Sequence, residues 1–152
     1  MPFEYFNFSL LSDLQRAFSS KPLVLHPTSG AGLLLKHALE SRNDSPTWDA
    51  TPSDLILGYV DQLFLLDDEE YLLLLPAWLA YAIKNPVGPV AQKLLAHFET
   101  TSPCKAMTKP QREAAFAVAR HIVMCDDRGG PLSPRGGRCW EEVKLRWEPS
   151  AA

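Results

Sequence analysis

Apolar residues recur at intervals of three and four along most of the chain. That spacing predicts amphipathic helices rather than strands. A first short helix is predicted over Ser12 to Phe18, with Ser12 as N-cap and Leu14, Ala17 and Phe18 on one face. Lys21 to Gly32 contains Pro22, Pro27, Ser29, Gly30 and Gly32 and is read as a loop. A second helix is expected over Leu33 to Ser41. Asn43-Asp44-Ser45-Pro46 then makes a turn, with Trp48 as a core anchor beneath it.

The next helices carry start signals. Thr51-Pro52-Ser53-Asp54 places Thr at the N-cap, Pro at the first helical position and an acid in the first turn. Leu55, Ile56, Tyr59, Leu63 and Phe64 line the inner face of that helix. Asp67 caps the following helix, and Glu70, three residues on, is placed to reach back as in a capping box. This helix runs to about Lys84 and stops before Asn85-Pro86. It is apolar nearly all round, which predicts the central helix, with Pro76 as a kink. Another helix fits Pro89 to Phe98. Thr108-Lys109-Pro110-Gln111 is a second capping box and opens a helix from Gln111 to Met124. Trp140, Val143 and Trp147 sit at helical spacing, while Val143, Leu145 and Trp147 alternate like a strand. A short terminal helix that returns two tryptophans to the core is the favoured reading.

These elements make an all-α, single-domain bundle of about six to seven helices around a Pro-kinked apolar helix. The organisation expected is a helical core over 1–125, a flexible Gly/Pro/Arg loop over 126–138, and a C-terminal segment over 139–152 docked on the core. The chain has 152 residues, 46% of them apolar and 22% charged. A chain of this size can close a core without metals or disulfides. Its beginning, Met1-Pro2-Phe3-Glu4-Tyr5, has neither the basic region nor the apolar run of a secretion signal, and its three cysteines form no CxxC pair. A cytoplasmic protein with reduced thiols is expected.

Two segments carry a resemblance. One is Leu63-Phe64-Leu65-Leu66-Asp67-Asp68-Glu69-Glu70-Tyr71 followed by Leu75-Pro76-Ala77-Trp78-Leu79. The other is Met107-Thr108-Lys109-Pro110-Gln111-Arg112-Glu113-Ala114-Ala115. With the Trp48, Pro52, Leu55 run ahead of them, they resemble an uncharacterised bacterial domain family of unknown function, over roughly residues 10–125. The chain departs from that pattern at its Asp67-Asp68 helix start and after Met124. The resemblance implies an all-helical fold and a bacterial or phage source. It implies no catalytic residues, because the shared positions are core and cap positions.

Candidate chemistry is sparse. His121 and Cys125 lie four apart on one predicted helix and share a face. Joined by Cys104 or His97 they would make a zinc site or a thiol nucleophile with its base. The spacing is irregular and supplies no orienting acid, so no metal, no cofactor and no catalytic residue is expected; a thiol- or metal-dependent enzyme is the rival reading. Ser29-Gly30-Ala31-Gly32 lacks the G-K-[ST] ending of a phosphate loop and is read as a turn before a helix.

Charge is more telling. Glu40 to Glu70 contains nine acids and one base, Arg42. That stretch carries −8 of a total of −3, leaving +5 for the remainder. An acidic surface disfavours direct nucleic-acid binding and suits a basic protein partner. The expected partner-binding residues are Asp44, Asp49, Asp54, Asp61, Asp68 and Glu69. Asp54 and Asp61 are seven apart on one predicted helix and hence on one face. The function expected is non-enzymatic: an inhibitor such as an immunity protein that neutralises a basic toxin or effector. A phage-encoded inhibitor of a bacterial defence complex is the alternative.

Overall fold

The inner stripe of the longest helix organises the molecule. In the computed structural model, residues 2–18, 29–40, 47–48, 51–125 and 134–148 are described, the side chains of 2–8 and 134–138 excepted. Eight helices and no strand occur among them: α1 (Pro2–Ala17), α2 (Gly30–Glu40), α3 (Ser53–Gly58), α4 (Val60–Leu63), α5 (Asp68–Lys84), α6 (Pro89–Thr100), α7 (Lys109–Met124) and α8 (Pro134–Trp147). The fold is all-α. Helix α5 packs against α1, α3, α4, α6 and α7. Leu74, Leu75, Ala77, Trp78, Leu79, Ala82 and Ile83 are buried along it, as expected for a central helix. The helix runs through Pro76, which has no N–H to donate toward the Leu72 carbonyl. The Trp78 indole donates to the Ile56 carbonyl (3.0 Å) and ties α3 to α5. At its end Asn85 donates from both backbone (2.9 Å) and side chain (3.1 Å) to the Tyr81 carbonyl.

Several boundaries differ from the sequence reading. Ser12 is inside α1 rather than at its start. Leu10, Leu14 and Phe18 are spaced by four, so the stripe facing the core begins before Ser12. Helix α2 begins at Gly30, inside the stretch read as a loop. Ser29 precedes it, and its Oγ accepts the Gly32 N–H (3.0 Å), the geometry of a serine N-cap. The Thr51 hydroxyl donates to the Thr47 carbonyl (3.3 Å) instead of capping α3. The single helix expected after Thr51 is two, because the backbone breaks at Tyr59 (φ −124°, ψ 20°) next to Gly58. Glycine is a poor helix former, and the break leaves Asp54 on α3 and Asp61 on α4.

Glu70 makes no capping box with Asp67, whose side chain caps nothing. It lies four residues before Leu74, on the buried stripe of α5, and is itself buried. The Thr108–Gln111 box does form: the Gln111 N–H donates to Thr108 Oγ1 (3.3 Å) and the Thr108 N–H to Gln111 Oε1 (3.0 Å).

Residues 134–138, expected in a loop, open α8, with Pro134 at its first position. Helix α8 packs on α6 and α7. Trp147 packs edge-on to Phe98 (centroids 4.7 Å apart) and donates to the Thr101 carbonyl (2.7 Å). The expected docking of Trp147 is therefore observed. Trp48 is buried, with its indole donating to the Phe18 carbonyl (3.3 Å). The turn over 43–46 and the stretch 126–133 lie outside the described residues. Among the described residues, no helix is long and apolar enough to cross a membrane.

Candidate functional site

Asp44 and Asp49 lie outside the described residues. The other acids of the stretch are placed by α3, α4 and the start of α5, and both α3 and α4 pack on α5. Asp54 sits exposed in the first turn of α3. Asp61 is exposed on α4 and accepts from Lys93 of α6 at both carboxylate oxygens (3.0 and 3.1 Å). That pair offsets the Asp61 charge locally. Asp67, Asp68 and Glu69 form an exposed run at the N-terminus of α5, where acids complement the helix dipole.

Two large apolar side chains stand in the same stretch. Leu57 on α3 is 47% exposed and Leu65, just after α4, is 69% exposed. Both lie off the inner face that the sequence spacing gives to Leu55, Ile56, Tyr59, Leu63 and Phe64.

Behind Asp68 is a cluster of titratable groups that sequence reading did not assemble. The Tyr71 hydroxyl lies 3.0 Å from His97 Nε2. The His97 ring stacks on Phe64, with centroids 4.5 Å apart. Burial lowers the His97 pKa to about 4, so the ring is neutral at neutral pH. Burial, with the Cys104 and Asp68 charges, pushes the Tyr71 phenol up. Burial, then Asp68, pushes the Cys104 thiol up, against backbone hydrogen bonds that lower it.

The candidate metal or thiol residues fall into two groups. His97 and Cys104 belong with Tyr71. His121 and Cys125 share a face of α7 as expected, with Cys125 Sγ 3.8 Å from His121 Nδ1, while His121 Nε2 lies 3.2 Å from the Ile83 carbonyl. Among the described residues, no group of three or more His, Cys, Asp or Glu side chains is placed to hold a metal ion. Burial raises the Cys125 pKa, the opposite of what a thiolate nucleophile needs. The three cysteines are unbridged. His26 lies outside the described residues, and His37 is exposed on α2.

Compared with protein-family models, curated proteins and solved structures, the chain matches none. The likeness of its two segments to a bacterial family therefore carries no family assignment.

Proposed function

We propose that this protein acts by binding, without a catalytic step, and that the surface built by α3, α4 and the N-terminus of α5 docks a basic protein. The reading rests on one observation: Leu57 and Leu65 stay exposed within the same stretch as Asp54, Asp61, Asp67, Asp68 and Glu69. Helix-dipole compensation accounts for acids at a helix start. It does not account for two leucines held in water beside them. Apolar anchors rimmed by charge are the composition of a protein interface, in which the leucines supply buried area and the acids steer encounter and exclude wrong partners.

In its specific form the protein is an inhibitor that covers a basic effector, as an immunity protein covers its toxin. Both thiol groupings sit at raised pKa, which supports binding over thiol chemistry. The direct test is capture of the product of the adjacent gene, or of a basic protein from the source-cell lysate. Wild type is compared with the double variant Leu57→Ser, Leu65→Ser, both exposed positions that leave the core intact. A stoichiometric partner retained by wild type and lost by the double variant is expected. Equal retention by both would refute this surface.

A further inference from the structure

We propose that the cavity between α1, α7 and α8 binds a small, flat, apolar molecule carrying a single anionic group. None of its lining residues belongs to the acidic surface, so this site is separate from the proposed docking face.

The cavity measures about 860 Å³, within the range of pockets that hold drug-sized ligands. It exists because α7 has two apolar stripes. One is the core stripe of Ala115, Val118, Ala119 and Ile122. The other sets Phe116 and Met124 one turn either side of Arg120, spaced by four, on the side of the helix that lines the cavity. Phe116 stacks on Trp140 of α8, centroids 5.2 Å apart and planes 7° from parallel, and both rings line the cavity. Met124 stays 60% exposed, and a flexible thioether adapts to varied apolar shapes.

Charge fixes the orientation. Arg120 is exposed on this stripe and forms no ion pair among the described residues. Among the described residues, the acids that line the cavity are Glu113 and Glu148. Glu113 precedes Arg120 by seven residues, about 10 Å of helix rise, and pairs with Lys109 (4.0 Å). Glu148 sits beside the start of α7, where its backbone carbonyl accepts from Arg112 (3.0 Å). An anion is therefore favoured at the Arg120 end and disfavoured at the other. The guanidinium suits a carboxylate or sulfonate held in a bidentate way.

The test uses 1-anilinonaphthalene-8-sulfonate, a flat apolar anion, and its uncharged relative N-phenyl-1-naphthylamine, titrated into the full chain with fluorescence as readout. Near-UV circular dichroism confirms that each variant retains native packing. One saturable site for the sulfonate is expected. Arg120→Glu and Met124→Glu, both at exposed positions, should each weaken it about tenfold or more, whereas Leu65→Glu should leave it unchanged. The uncharged relative should bind more weakly than the sulfonate and respond little to Arg120→Glu. Ligand should also slow alkylation of Cys125, which lines the same cavity. Absence of a saturable site, or binding indifferent to both α7 variants, overturns the proposal. Dimerisation that blocks the sulfonate would likewise overturn it and assign the face to a second copy of the chain.

Discussion

Gly32 and Glu70 occupy the same small space: a Cβ on Gly32 would overlap the Glu70 carboxylate. Glu70 Oε1 accepts from the Ser29 hydroxyl (3.3 Å), and Ser29 Oγ accepts the Gly32 N–H (3.0 Å). The α5 carboxylate thus orients the serine that caps α2 and lies at the positive end of that helix. A residue that reads locally as a cap for its own helix serves the cap of another.

Gly32→Ala is expected to destabilise the fold by about 1–3 kcal/mol, the usual cost of overpacking a filled site. The cost should shrink by at least about 1 kcal/mol in a Glu70→Ala background, because the clash needs both groups. Denaturant melts of the two single variants and the double variant measure the coupling. Additive effects would show that the close approach is not what excludes a side chain at position 32.

Arg112 holds the end of α8. Its guanidinium donates to the carbonyls of Trp147 (3.1 Å), Arg146 (3.4 Å) and Glu148 (3.0 Å), groups that a helix end leaves without internal partners. Arg112→Ala should cost about 1–3 kcal/mol, as expected when charge-assisted hydrogen bonds are lost. Arg112→Lys should recover only part of it, because an ammonium cannot reproduce the planar fork. Protease cleavage within 134–148 gives a local readout and should rise in the alanine variant before global unfolding. If lysine restored full stability, the contact would be one of charge alone.

The neutral His97 makes the fold acid-sensitive. In the unfolded chain its ring takes up a proton near the ordinary value of 6.5, whereas in the folded chain it does so only near 4. The unfolded state then binds more protons between these values, so this contribution is complete above about pH 6.5 and is lost as pH falls toward 4. At about 1.4 kcal/mol per unit the loss is about 3 kcal/mol. The comparison is made against wild type at each pH. His97→Gln, which keeps a polar partner for Tyr71, should show a smaller drop in Tm between pH 7 and pH 4.5. An unchanged drop would place the acid sensitivity in the carboxylates.

Legibility followed how local each determinant is. The Thr108–Gln111 box needs only neighbouring residues, and it formed as read. The centrality of α5 was visible because its apolar surface wraps the helix. Glu70 carried the same spacing signal as Gln111, yet the core stripe of α5 directed it inward to α2, which no local pattern reveals. Pro134 and the glycines after it read as loop, but Val143 and Trp147 bury the helix that they open. For the docking face, the acids were visible as composition. The outward placement of Leu57 and Leu65 also follows from the helical spacing, whereas the pairing of Asp61 with Lys93 depends on the packing of α6.

The most direct measurement of the docking surface is the association rate with the captured partner, followed from about 50 to 500 mM salt. Wild type is compared with Asp54→Lys, Asp68→Lys, Glu69→Lys combined, all three on exposed positions. Wild type should associate at least about tenfold faster at low salt and lose that advantage as salt screens the charges. The same rate and the same salt slope in both proteins would contradict an acidic docking face.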